Sequence, residues 1–291
     1  MSEKPNILFI VEGERLEPEV INRMAEVYGL RCDISSVCTN IHILYKQLKQ
    51  DDGYSDVIPV LREILRSRLV SLENLPSSSE QKHKISRTRE DLAKLERSFA
   101  SVYLVFDSEL HHRSNDNLAP LDVIDKNIAE LKKMLEFFDN ETDQGKLYVN
   151  YPMMESYRDC DDFFDEGYRD RLVSLDILFG RTPAKGYKSL VASRKLANIR
   201  NRHISQEQFN RLTCMNVFKL NWMKHHLWQK PNYDDFFKIA QQENILELEH
   251  DCCRSLNAVA VLNTLLFFII DYKGCDFYDN DVFSRSEQYS E

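Results

Sequence analysis

Two short apolar runs in this 291-residue chain end abruptly in carboxylates. Ile7-Leu8-Phe9-Ile10-Val11 leads into Glu12-Gly13-Glu14, and Val102-Tyr103-Leu104-Val105-Phe106 leads into Asp107-Ser108-Glu109. An apolar run of this kind reads as a strand buried on both faces, as in parallel sheets. Acids at the carboxyl ends of such strands fall in the crevice where open α/β sheets bind ligands. In a strand, residues two apart point to the same side, so Asp107 and Glu109 are expected to act together. An all-oxygen donor set suits a hard divalent cation such as Mg²⁺ or Mn²⁺, which binds through a few carboxylates and substrate phosphates. Gly13 is expected to turn the backbone sharply past Glu12 and to leave room for a phosphate.

A third element carries another acid, Glu155, which follows the strand Leu147-Tyr148-Val149 within Asn150-Tyr151-Pro152-Met153-Met154-Glu155-Ser156-Tyr157. It is expected to open a helix near the same crevice, either as a ligand or as a first-turn acid favoured by the helix dipole. Asp161 and Asp162 are auxiliary candidates. Between Arg181 and His203 lie Arg181, Lys185, Lys188, Arg194, Lys195, Arg200 and Arg202, without an acid. Such a stripe attracts a phosphate backbone, or else forms a solvated basic face paired with acids elsewhere. Tyr187 within it could stack on a base. His111-His112 reads as polar loop surface, with metal or phosphate contact as the alternative. His225-His226 reads as helix-end dipole complementation.

The elements that must position these residues alternate. Strand Asn6–Val11 precedes a helix carrying Pro18 near its start and closed by Gly29, and Arg31–Val37 is a second strand. A helical hairpin at about 54–99 interrupts the sheet, broken at Pro76-Ser77-Ser78-Ser79. Its second helix, Gln81–Phe99, is dense in charge, so a solvated arm is expected, or a partner-binding one. Strand Val102–Phe106, a helix from Pro120, a loop over 139–144 and the strand at 147–149 complete an α/β pattern with a doubly wound parallel sheet. Beyond Glu155 only helices are expected: 189–201, 206–227 with a Ser205/Gln208 capping box, 233–243 and 257–272. The expected domains are 1–160, holding the metal site, and a helical domain over 161–291.

A net charge of −9 excludes indiscriminate nucleic-acid binding but not a local basic groove. Seven scattered cysteines without a Cys-x-x-Cys pair read as reduced thiols. The charged N-terminus does not read as a signal peptide, and the apolar stretch 258–270 falls short of the ~20 residues of a membrane span. A cytoplasmic, membrane-free protein is expected. There is no Gly-x-x-x-x-Gly-Lys-Ser/Thr phosphate loop.

Val11-Glu12-Gly13-Glu14 with Glu17 resembles the opening motif of TOPRIM domains, and Asp107-Ser108-Glu109 resembles their second acidic motif, usually Asp-x-Asp. The Asn150-x-Pro152-x-x-Glu155 element with Tyr157 two residues on is similar to that of RloB-like TOPRIM proteins of prokaryotic defence systems. OLD-family and PARIS-type nucleases share this kind of domain. The resemblance covers roughly residues 6–160. It departs at Glu109, which lengthens a ligand arm, and at Tyr157, where Trp is usual. It implies a metal-dependent nuclease acting on DNA or RNA, tRNA included, with Glu12, Asp107 and Glu109 catalytic. Glu12, Asp107, Glu109 and Glu155 would hold Mg²⁺ or Mn²⁺, and Lys185, Lys188, Arg194 and Lys195 would bind substrate, Lys188 being marked by the resemblance. It further implies a toxic antiviral effector restrained by a separate ATPase or sensor, and a homo-oligomer stays open. Two other readings stay open. One is a TOPRIM-fold binding subunit that has lost catalysis, and the other is a small-molecule phosphoesterase or nucleotidyl enzyme.

Overall fold

Strand β1 (Ile7–Val11) is buried at every position, as its continuous apolar run requires. Helix α1 (Leu16–Tyr28) buries Val20, Ile21, Met24, Ala25 and Tyr28 at helical spacing. It closes on Gly29, whose φ of 65° a residue without a side chain adopts at little cost. Strand β2 (Cys32–Ser36) and helix α2 (Ile41–Gln50) follow. The insertion comprises α3 (Val57–Glu73) and α4 (Ser79–Leu95), and Ser78 and Gln81 form a capping box at the start of α4. Strand β3 (Ser101–Asp107), helix α5 (Pro120–Phe137) and strands β4 (Asp139–Asn140) and β5 (Gly145–Asn150) complete this part. The computed structural model describes residues 6–50, 56–76, 78–112, 118–142, 144–180 and 186–283.

The five strands form one sheet in the order β2-β1-β3-β5-β4. Strand β1 runs parallel to both neighbours, with Val11 opposite Ser36 on β2 and Val105 on β3. The chain leaves β1 to one side for β2 and returns on the other for β3, so the strand order reverses beside β1. The α/β class and mostly parallel sheet are as expected. The stretch 139–144 is not wholly a loop, because β4 pairs antiparallel with β5.

The insertion is not a solvated arm. Thr88 and Asp91 of α4 are buried despite their polarity. Lys94 Nζ donates to the Ile34 carbonyl of β2 at 3.0 Å and pairs with Asp91 at 2.8 Å. Arg97 reaches Asp33 of β2 at 3.0 Å. Helix α4 thereby covers β2, the edge strand, whose unpaired backbone would otherwise invite association.

The chain divides into two compact units, Met1–Phe106 with Phe137–Leu147, and Asp107–Glu136 with Tyr148–Glu291. The second unit contains two strands where only helices are expected. Strand β6 (Leu172–Ser174) precedes the short helices α6 (Leu175–Leu178) and α7 (Tyr187–Val191). Helices α8 (Gln206–His225), α9 (Tyr233–Ile239) and α10 (Gln242–Leu256) lead to β7 (Ala258–Ala260), which pairs antiparallel with β6. Helices α11 (Leu265–Lys273) and α12 (Cys275–Phe277) follow.

Each departure has a local cause. Asn257 adopts φ 53° and ends α10, and alternating Val259 and Val261 then suit a strand rather than the start of a helix over 257–272. The helix expected over 189–201 stops at Val191. Beyond it, Asp161 accepts the Lys195 N–H at 3.0 Å and Asp159 takes Arg194 at 2.8 Å, leaving two 3₁₀ turns. The helix expected over 233–243 splits because Gln241 and Asn244 side chains donate to the Phe237 and Lys238 carbonyls. The Ser205/Gln208 capping box is formed as expected. All seven cysteines are free, and no helix among the described residues is long and apolar enough to cross a membrane.

The core of the second unit holds a carboxyl and an amine. Glu249 is fully buried and accepts the Ala260 N–H at 2.9 Å. Lys219 is 2% exposed and donates to the Arg169 and Arg171 carbonyls. Burial raises the Glu249 pKa to about 8 and lowers that of Lys219 to about 8. From about pH 4.5 to about 8, the unfolded chain releases the Glu249 proton while the folded one keeps it. Stability therefore falls as pH rises through that window. Glu249→Gln is expected to flatten this slope in urea denaturation series across the window. An unchanged slope would show that Glu249 is ionised in the folded state.

Candidate metal centre

Register places the acids. Because Val11 lies opposite Val105, Glu12 and Asp107 continue two hydrogen-bonded parallel strands at their carboxyl ends. One oxygen each from Glu12, Asp107 and Glu109 lies within 4.8 Å of the others, and all three residues are half-buried. The donor set fits a hard divalent cation.

Each acid is held by backbone. Gly13 does not adopt a left-handed φ. Its role is space: the Gly13 N–H donates to Glu17 Oε1 at 3.1 Å, and a Cβ on Gly13 would stand 2.4 Å from Glu17 Oε2. The room expected for a phosphate is taken by the Glu17 carboxylate. Ser36 Oγ donates to the Gly13 carbonyl at 2.8 Å, and the Cys38 N–H donates to the Glu12 carbonyl at 3.1 Å. Glu14 turns aside. It accepts from the Cys38 thiol at 3.1 Å and pairs with Arg68 of α3 at 2.8 Å. The Cys38 hydrogen bond, and then Arg68, hold its carboxyl below the usual range against the opposing effect of burial.

In the second unit, Asp107 Oδ1 accepts the Met154 N–H at 2.7 Å. Ser108 is buried, donating its N–H to the Asn150 carbonyl at 3.0 Å and its hydroxyl to the Pro152 carbonyl at 2.9 Å. Glu109 has φ 48°, a left-handed conformation costing an L-residue about 1–2 kcal/mol. The turn is clasped by Asn127 of α5, whose Nδ2 donates to the Leu110 and His112 carbonyls, each at 2.8 Å. Strain held by a clasp beside carboxylates is a mark of functional sites.

Glu155 is not in the triad. It sits in a 3₁₀ turn over Met154–Arg158 rather than a helix. Its side chain is 10% exposed, with Oε1 3.4 Å from Lys188 Nζ. Its Oε2 is buried with no hydrogen-bond partner among the described residues. The turn is fixed from beneath by Asn263, which donates to the Met154 carbonyl at 3.1 Å and to Ser156 Oγ at 3.0 Å. Asn150 Oδ1 accepts the Leu265 N–H, and Asn216 Oδ1 accepts from both Tyr168 and the Asn263 N–H.

The basic stripe does not stand free. Arg194 Nε is 2.8 Å from the buried Asp159, a pairing that fixes the segment. Lys188 and Lys195 are exposed, whereas Tyr187 is 3% exposed and has no face to offer a base. Arg181 and Lys185 lie outside the described residues. Asp161 accepts the Lys195 N–H, which lowers its pKa, and Asp162 accepts the Phe163 N–H. Asn127, Ser108, Asn263 and Arg68 escape sequence reading because their partners are backbone groups or charges many residues away.

No protein-family model, curated protein or solved structure matches this chain.

Two outcomes are expected. Saturating Mn²⁺ raises the melting temperature of the wild type but not of Asp107→Asn, since a ligand at 100 times its Kd adds about 2.7 kcal/mol. An equal rise in both would move the metal elsewhere. Glu109→Gly unfolds in urea at about 1 kcal/mol higher stability than Glu109→Ala, because only glycine relieves the positive φ. Equal stabilities would show that the turn carries no strain.

Proposed function

We propose that this protein is a metal-dependent nuclease of TOPRIM type, hydrolysing phosphodiester bonds of DNA or RNA. The observation that carries the reading is the triad of Glu12, Asp107 and Glu109 beside a reversal of strand order. Glu12, Asp107 and Glu109 would hold Mg²⁺ or Mn²⁺. When bound, the ion supplies positive charge for the developing oxyanions and lowers the pKa of a water. The chain's own residues do the rest. The Met154 N–H fixes one oxygen of Asp107. Asn127 clasps the turn that carries Glu109. Glu155, paired with Lys188, would serve as a further acid. Lys188 and Lys195 would meet substrate phosphates. Action as a toxic antiviral effector under a separate ATPase or sensor is part of this reading, supported by the resemblance of the three acidic motifs.

The test is cleavage of labelled DNA, RNA and tRNA with Mg²⁺ or Mn²⁺. Glu12→Gln and Asp107→Asn are expected to lower the rate by at least about 10²-fold while remaining folded, as loss of transition-state charge stabilisation does. Lys188→Ala is expected to raise the substrate concentration for half-maximal rate more than it lowers metal affinity. Wild-type rates in both acid variants would overturn the site. Polymer binding without cleavage would select the inactive binding subunit, and hydrolysis of nucleotides alone would select a small-molecule phosphoesterase.

A further inference from the structure

We propose that a cavity between β2 and α4 seats a backbone phosphate of the polynucleotide, with Arg87 as its principal ligand. The inference rests on the nuclease reading and adds to it a surface on the inserted hairpin. The cavity has a volume of about 380 Å³ and is lined by Asn22, Ser36, His83, Ser86, Arg87 and Lys94, among others. That is near the small end of ligand pockets, about 300–1,000 Å³, and suits one nucleotide unit rather than a large cofactor. His83, Arg87 and Lys94 recur at four and seven residues, so helix periodicity turns them to one side.

The other charges in the cavity are engaged except that of Glu90, which keeps its negative charge. Asp33 is neutralised by Arg97 and bonded by Asn6. Lys94 is divided between Asp91 and the Ile34 carbonyl, and Glu90 accepts from Ser86. Arg87 and His83 make no hydrogen bond or ion pair among the described residues. Arg87 is half-buried. Ser36, also on the wall, bonds the Gly13 carbonyl of that loop. A guanidinium with open donors, beside a loop that carries a candidate metal ligand, is suited to bidentate grip of a phosphate next to the one being attacked.

The test is fluorescence anisotropy of a short labelled single strand, in Ca²⁺, across a salt series. Arg87→Gln is expected to weaken binding about tenfold and to reduce the slope of log K against log salt by about 0.7, the value for one contact to a single strand. Arg87→Lys should recover part of the affinity, and Lys224→Gln, removing the same charge from an exposed helix end, should change neither quantity. Unchanged melting temperature of Arg87→Gln separates contact loss from misfolding. Wild-type affinity and slope in Arg87→Gln would overturn this inference alone, provided Glu12→Gln still stops cleavage. Failure of the wild type to bind the strand at any salt would overturn both readings. Equal competition by a mononucleotide and by the unlabelled strand would assign the cavity to a small ligand and overturn the polymer reading.

Discussion

Three carboxylates held together are the constraint on which the rest of this structure depends. Their oxygens lie within 4.8 Å of one another, and carboxylates this close oppose one another when charged. Nothing about the acids themselves brings them together. The parallel register of β1 with β3 does so, and the backbone hydrogen bonds of both strands supply the rigidity. Residues around the acids then resist relaxation: the Met154 N–H on Asp107, the buried Ser108 between two carbonyls, and Asn127 under the left-handed Glu109 turn. A site of this kind is destabilised without a cation and stabilised by one.

The second unit holds a network of buried polar groups of its own. Asn150, Asn216 and Asn263 bond backbone groups and buried side chains, and through them the 154–158 turn is fixed. Buried amides of this sort are costly when one partner is lost and nearly neutral when all are present, so they specify a geometry more than they add stability. Lys219 and Glu249 extend the pattern into the core, with the amine on two carbonyls and the acid on the β7 backbone.

Much was legible beforehand. Apolar runs closed by acids identified both strands, Gly29 marked the end of α1, and Ser205 with Gln208 marked the start of α8. The three acids were legible as candidates because strands of this type end in a crevice. The misreadings share a cause. The stretches 189–201 and 257–272 have helical composition, but Asp159, Asp161 and Asn216 engage them from distant positions, and Asn263 reaches out to the Met154 carbonyl. Glu155 was read by its place after a strand, and what it meets is Lys188. Arg194 was read as a substrate cation, but it completes a buried pair with Asp159.

The sequence by itself determined the α/β class, the helical insertion and the identity of the oxygen donors, because apolar periodicity and chain-end chemistry are local properties. Only the tertiary structure decided which acids meet. Strand order, register and long-range side-chain-to-backbone bonds set those distances, and none of them leaves a mark within a window of neighbouring residues. That is why Glu12, Asp107 and Glu109 converge while Glu155 turns to Lys188. It is also why the charged hairpin covers β2 and leaves Arg87 facing a cavity.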